Sequence, residues 1–389
     1  MTVLEQGFRW FGSDDPVPLS FIRQTGASVV FTSLHQIPYG DAWPREAIRE
    51  RREHIEQAGL RWTAVESVPV HEDIKTGRGD LKRLFANYNS SLENLAAEGI
   101  RTVVYNFMPV LDWVRTDMSW VLPDGSRSMR YDPVHFAAFD LHALQRPSAE
   151  DDHPAEVREK AARWWAGLDA PARERFIRSI IDVFPGVKWN LSLDDIRAML
   201  ARYDGIGARE LRENLSRFLE AIVPVAESCG IKLAIHPDDP PFPVLGLPRI
   251  VSTGDDADAI LAMVDRPSNG LCFCTGSFGA RADNDLPAMA GRFADRIHAL
   301  HLRNTQLKPD GSFHEASHLS GSTDMAAVIR AFLAARSSGD PAPFRPDHGL
   351  VIMDDLAKPE GITPGYPCIG RMKGLAEIRG LLLGLHASA

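Results

Sequence analysis

The sequence predicts an α/β fold, a (β/α)8 TIM barrel formed by one domain over residues 1–389. Three observations lead there. A helix–glycine–basic–strand unit recurs in "EQAGLRWTAV" (56–65), "AAEGIRTVVY" (96–105) and "ESCGIKLAIH" (227–236), with "RQTGASVVFT" (23–32) as a looser copy. Glycine suits the position just past a helix because it adopts positive φ at little cost. Eight short apolar runs alternate with amphipathic helical stretches, the pattern of a parallel barrel with helices outside. Finally, no glycine-rich GxGxxG follows any of these runs, which disfavours a doubly wound nucleotide-binding sheet.

The strands are read in order as "FRWFG" (8–12), "SVVFTSL" (28–34), "WTAVES" (62–67), "TVVYNFM" (102–108), "LAIH" (233–236), "LCFCTG" (271–276), "IHALHLR" (297–303) and "APFRPD" (342–347). Each is an apolar run of the length a strand buried on both faces requires. Helices are expected at 44–58, 78–98, 207–229, 284–295 and 324–336. The basic stretch "REAIRERREH" (45–54) interleaves acids with its arginines and reads as the solvated face of the first of these. The long interval between the fourth and fifth strands contains "EDDHPAEVREKAARWWAGLDAPARERFIRSIIDVF" (150–184), charged and helix-periodic. Residues 112–205 are therefore expected to form a mostly helical insertion on the fourth β/α loop. Loops at that end of a barrel surround the active site, so the insertion is a candidate lid or oligomer contact.

Composition narrows the partners. The 389 residues carry a net charge of −9 with neutral histidines, and no Lys/Arg run is interleaved with aromatics, so nucleic acid is not expected. No window reaches the ~18 apolar residues of a membrane span. The start, "MTVLEQGFRW", lacks a basic segment followed by an apolar one, so no secretory signal is expected. Four cysteines are too few for a disulfide framework and fit a reduced, cytoplasmic setting.

In a parallel barrel the chemistry sits at the C-terminal strand ends. Those ends present Arg9, His35, Glu66, His71, Tyr105 and Asn106 on the early strands. On the last four they present His236, Cys274, His301 and Asp347, at comparable depths and able to converge on one metal ion. Each alone is as readily a core histidine or a small buried thiol. His298 and His301 are three apart and so point to opposite faces of their strand. His301, nearer the strand end, is the one expected inside. In "HPDDPP" (236–241) the prolines stop the strand and stiffen the loop. Asp238 and Asp239 are read first as exposed turn carboxylates, with orientation of a ligand as the alternative.

The motifs "VESVPVHEDIKTG" (65–77), "VYNFMPVLDWVRTD" (104–117), "IHPDDPPFPVLGLPRIVST" (235–253), "CTGSFGARADND" (274–285), "HLRNTQ" (301–306), "FHEASHLSGSTDM" (313–325), "FRPDHG" (344–349) and "GYPCIGRMKGLAEIRG" (365–380) resemble the mannonate dehydratase family, whose barrel is xylose-isomerase-like. The resemblance covers nearly the whole chain. It implies a hydro-lyase of hexuronate catabolism that converts D-mannonate to 2-keto-3-deoxy-D-gluconate and water with Mn(II) or Fe(II). It implies His236, Cys274, His301 and Asp347 as metal ligands and His348 and Tyr366 as the acid/base pair, without saying which is which. A thiolate is a soft ligand for Mn(II), so the metal stays open between Mn and Fe.

For that reaction Arg303 and Arg345 are candidate clamps for the substrate carboxylate, since guanidinium binds carboxylate bidentately. Salt bridges in the site wall are the alternative. His71 and His314 are further candidates for the polar pocket. The expected partner is a small sugar acid, and the family resemblance implies a homodimer or higher homo-oligomer. Two other functions compete. A sugar isomerase or epimerase on the same barrel often uses two carboxylate-rich metal positions, and this ligand set has one carboxylate. A sugar-acid binding protein would be expected to have lost a ligand or an acid/base residue, and all six are present.

Overall fold

The computed structural model describes residues 4–182, 191–337, 339–357 and 361–387. Strands β1 (Leu4–Arg9), β2 (Val29–Thr32), β3 (Arg61–Glu66), β4 (Thr102–Tyr105), β5 (Asp117–Val121), β6 (Arg127–Tyr131), β7 (Lys232–Ile235), β8 (Asn269–Cys274), β9 (Ile297–His301), β10 (Asn304–Leu307), β11 (Phe313–Ala316) and β12 (Ala342–Arg345) divide between two sheets. Eight close into a parallel barrel in the order β1-β12-β9-β8-β7-β4-β3-β2. All eight expected strands are present, although the first runs Leu4–Arg9, displaced toward the N-terminus from the expected 8–12. The last forms in spite of Pro343, pairing with β1 on one side and β9 on the other. The repeated glycines behave as the unit requires, with φ of 85° at Gly26, 75° at Gly59, 82° at Gly99 and 70° at Gly230.

Two apolar layers hold the barrel. Its inside is plugged by Val29, Phe31, Ala64, Val104, Cys272 and Ala299, all within 1% of complete burial. Outside, a larger shell packs the strands on the helices. The helix Ala208–Cys229 contributes Leu211, Leu215, Phe218, Leu219 and Ile222 to it, the spacing of one helical face. Solvent takes the opposite faces, as in the helix Arg45–Gln57, where Arg52 pairs with Glu56 one turn on.

The insertion departs from the expectation at its start. Helices Pro133–Ala138, Ala155–Ala166, Ala170–Ile181 and Leu193–Ala201 make it mostly helical, but it opens with the β5–β6 hairpin. That hairpin joins a second hairpin, β10–β11, in a four-stranded sheet ordered β10-β11-β6-β5. Phe313 pairs with Tyr131 and His314 with Arg130 across the β11–β6 seam. A second apolar cluster, including Val114, Tyr131, Phe136, Phe176, Val244 and Phe313, packs the insertion on the loop after β7. Residues 183–190, inside the expected insertion, lie outside the described residues.

The loop after β12 and the start of the last helix, Cys368–Ala387, cross backbone to backbone. Gly349 N–H donates to the Gly365 carbonyl at 2.9 Å. A methyl at Gly349 would stand 2.6 Å from the Gly370 carbonyl carbon and the Arg371 nitrogen, and one at Gly370 would run into the Leu350 carbonyl oxygen. His348 and Tyr366 flank this crossing. Gly370→Ala is therefore expected to lower unfolding free energy by about 1–3 kcal/mol, the cost of overpacking, and to lower activity by shifting both residues. Denaturant unfolding and turnover measured together check this, and unchanged values in both would refute the role given to the crossing.

Candidate active site

The C-terminal mouth of the barrel opens into a cleft whose wall includes Arg9, His35, Glu66, Trp113, His236, Asp239, Arg303, Arg345, Asp347, His348 and Tyr366. His236 follows β7, its backbone N–H held by the Tyr105 carbonyl at 2.7 Å. Cys274 ends β8 and His301 ends β9, and both are fully buried. Ligand atoms of His236, Cys274 and His301 lie within 4.8 Å of one another. Small side-chain rotations would let one divalent ion touch all three. Strand alternation sends His298 the other way, where its Nε2 lies 2.9 Å from the Pro267 carbonyl.

The donor chemistry fits a metal. The buried Nε2 of His301 makes no well-formed hydrogen bond and lies 3.4 Å from Glu66 Oε2. Burial, with a contribution from Arg345, pushes the His236 imidazole toward its neutral, ligating form against Glu66, Asp347 and Asp239. The Cys274 sulfur accepts from Ser277 Oγ at 3.2 Å and from Ser277 N–H at 3.4 Å, contacts that suit a thiolate. Asp347 stands beside the three, its Oδ2 3.7 Å from Cys274 Sγ and 3.9 Å from His301 Nδ1. It adopts φ of 61°, in the left-handed region that few non-glycine residues visit.

Asp347 is turned toward arginines. Arg303 Nε donates to its Oδ2 at 2.6 Å, and Arg345 Nη1 donates to its Oδ1. Burial alone would raise its pKa, but Arg345, His348, Arg303 and His301 hold it well below the usual carboxylate range. Arg345 also grips Glu66 bidentately at 2.8 and 2.6 Å. Arg303 further reaches Glu315 at 2.7 Å and Asp239 at 2.5 Å. Arg115 completes the array, pairing with Asp239 at 2.7 Å and Glu315 at 2.8 Å. Arg303 and Arg345 thus take the alternative reading, ion pairs in the site wall.

His348 and Tyr366 meet above this array, their rings 5.1 Å apart and perpendicular. His348 Nδ1 lies 3.1 Å from Glu315 Oε1. A carboxylate can only accept there, so Nδ1 carries the proton and Nε2 is left as the basic atom. Burial chiefly pushes the Tyr366 phenol up to about 12, so it stays protonated.

Three sequence expectations change. Asp238 and Asp239 are buried rather than exposed, because Asp238 accepts from Val251 N–H at 2.7 Å and Asp239 sits between Arg115 and Arg303. His71 is outside the main cleft. Its Nδ1 caps the helix Glu72–Thr76 by accepting from Asp73 N–H, and its ring lines a separate small pocket with Trp43 and Tyr88. His314 also points away, lining a surface depression with Trp120 and Lys308. Alternation along β11 places Phe313 and Glu315 inward and His314 outward. The period-two pattern of "FHEA" was the available signal, and it selects Glu315.

Comparison with known proteins follows this geometry. The family model described as D-mannonate dehydratase (UxuA) matches residues 4–389. The chain belongs to the D-mannonate dehydratase family. It is 54% identical to the mannonate dehydratase of Chromohalobacter salexigens over 384 residues, covering 97% of this chain and 98% of that one. Identity to the mannonate dehydratase of a Marinomonas species is 50% over 392 residues, covering 99% and 100%. The crystal structure of mannonate dehydratase from Streptococcus suis serotype 2 superposes with a TM-score of 0.77 at 35% identity, covering 97% of this chain and 93% of that one. A D-allulose 3-epimerase from Methylomonas, at 14% identity and TM-score 0.51, shares the fold.

The buried carboxylates make stability depend on acid. Against the cost of burial, arginines and His348 hold Glu315 below its ordinary value, and Arg115 and Arg303 do the same for Asp239. Folded values below unfolded ones mean stability that is complete above the ordinary carboxylate range, begins to fall within it and is lost as pH drops on toward the lower folded values. Thermal unfolding scans are expected to show a steep loss below about pH 4. Glu315→Gln is expected to cost about 3–5 kcal/mol at pH 7 by leaving arginines unmatched, and to blunt the acid loss. A wild-type melting temperature unchanged down to pH 3 would contradict this.

Proposed function

We propose that this cleft dehydrates D-mannonate to 2-keto-3-deoxy-D-gluconate, with a divalent ion held by His236, Cys274, His301 and Asp347. The observation that carries the reading is the convergence of three strand-end donors within 4.8 Å of one another, with His236 lining the cleft that His348 and Tyr366 also line. The ion, Mn(II) or Fe(II), would supply the positive charge that proton removal beside a carboxylate requires.

The chain's own residues divide the remaining work. His348, with Nδ1 tied to Glu315, presents Nε2 to take the C2 proton. Tyr366 is a protonated phenol on the same wall and gives its proton to the departing C3 hydroxyl. Arg303 and Arg345 fix Asp347 and Glu66 rather than the substrate. Trp113, 5.9 Å from the His348 ring, closes the cleft on the insertion side and helps exclude water.

The reading extends to a small sugar acid as partner, a cytoplasmic setting and a homo-oligomeric state. Among the described residues no helix is long and apolar enough to cross a membrane.

Chelator-stripped protein should form no keto acid from D-mannonate. Add-back of Mn(II) or Fe(II) should restore it, and Zn(II) serves as the comparison. Cys274→Ser should bind metal more weakly and lose most turnover. His348→Asn and Tyr366→Phe should each lower kcat by roughly 100-fold or more with metal content intact. Product formation by fully stripped protein, or near-normal turnover by His348→Asn, would overturn the corresponding assignment.

A further inference from the structure

We propose that Arg9, with the His35 imidazole beside it, receives the carboxylate of the substrate acid. The proposal rests on the reading of the cleft as the dehydration site. Three arginines line the cleft: Arg9, Arg303 and Arg345. Arg303 and Arg345 are matched to protein carboxylates. Arg9, at the end of β1 and 6% exposed, pairs with no carboxylate among the described residues. Glu66 acts on it through space but is already held by Arg345.

The fixed contacts of Arg9 are to neutral groups. Nη1 donates to the Trp10 carbonyl at 3.3 Å and the Phe31 carbonyl at 3.2 Å, and Nη2 meets His35 Nε2 at 3.3 Å. The guanidinium lies 4.5 Å from the centre of the Phe11 ring, which lines the same cleft. Of the five N–H donors of an arginine, these bonds leave two, on Nε and Nη2, the edge a carboxylate takes bidentately. Because Arg9 cannot lose its proton to His35, it donates to Nε2, and the His35 proton is on Nδ1. Burial, with Arg9 and Arg51, pushes the His35 pKa down to about 3, so it sits neutral beside the cation.

A buried guanidinium without a counter-charge is costly, and an incoming anion relieves that cost. The chemistry asks for the same group. Removing the proton next to a carboxylate drives further negative charge onto that carboxylate, and a fixed cation with unused donors stabilises it. The hydrogen-bonding partners of Arg9 are all neutral, which keeps that cation available for the substrate.

The test compares the acid with its neutral amide. Kinetics on D-mannonate and inhibition by D-mannonamide are measured with the metal-loaded wild type, Arg9→Lys and Arg9→Gln, with metal content and melting temperature recorded for each. Wild type should prefer the acid. Arg9→Gln should raise the KM for mannonate roughly 10- to 100-fold, the range of a charged hydrogen bond, and leave amide inhibition nearly unchanged. Arg9→Lys should fall between, because a lysine keeps the charge without the fork. Equal weakening of acid and amide, or a wild-type preference retained in Arg9→Gln, would overturn the proposal. So would a wild type that binds amide as tightly as acid, a result that needs no variant. Absence of product from metal-loaded wild type would instead overturn the dehydration reading, and calorimetric titration of both ligands would still decide the part played by Arg9.

Discussion

The site depends on burying four carboxylates at the barrel mouth without leaving any of them unmatched. Glu66, Asp239, Glu315 and Asp347 are each held by at least one of Arg115, Arg303 and Arg345. Taking such charges out of water costs several kcal/mol per ion, and only close, multiply bonded pairing offsets it. Arg303 is the centre of the array, with Asp239, Glu315 and Asp347 each on a different nitrogen. The array therefore fixes three loops relative to one another, those after β7, β9 and β12.

It also makes the insertion part of the site. Arg115 enters from the insertion, and Glu315 from a strand paired to the β5–β6 hairpin. The β11–β6 seam holds Glu315 in place, and Glu315 in turn sets the orientation of His348. Asp347 lies where the ion pairs meet the His236–Cys274–His301 cluster. Its contacts with Cys274 and His301 are longer than those with Arg303 and Arg345.

Much of this was legible in the sequence, and the rest was not for definite reasons. The barrel strands announce themselves because each is a short apolar run, and four of them, β2, β3, β4 and β7, follow a helix-ending glycine. His236, Cys274, His301 and Asp347 were readable because barrel geometry converts a strand end into a location. Residues 115, 239, 303, 315 and 347 are linked only in space, so nothing local says that Asp239 is buried or that the clamps chosen from sequence already hold protein carboxylates. The β5–β6 hairpin is not legible in the sequence, because "DMSWV" is exposed over its last three residues and carries little apolar signal. His314 attracts notice because histidine suggests chemistry, whereas strand alternation buries its neighbour Glu315 and leaves His314 on the other face.

The most direct test of the account is X-ray absorption spectroscopy of the reconstituted protein at the metal edge, with Cys274→Ser beside it. The account predicts one sulfur among the nearest neighbours of the ion, together with nitrogen and oxygen, and loss of that sulfur in the variant. A shell of nitrogen and oxygen alone in the wild type would contradict it, because Cys274 would then be a buried thiol and the metal would lie elsewhere.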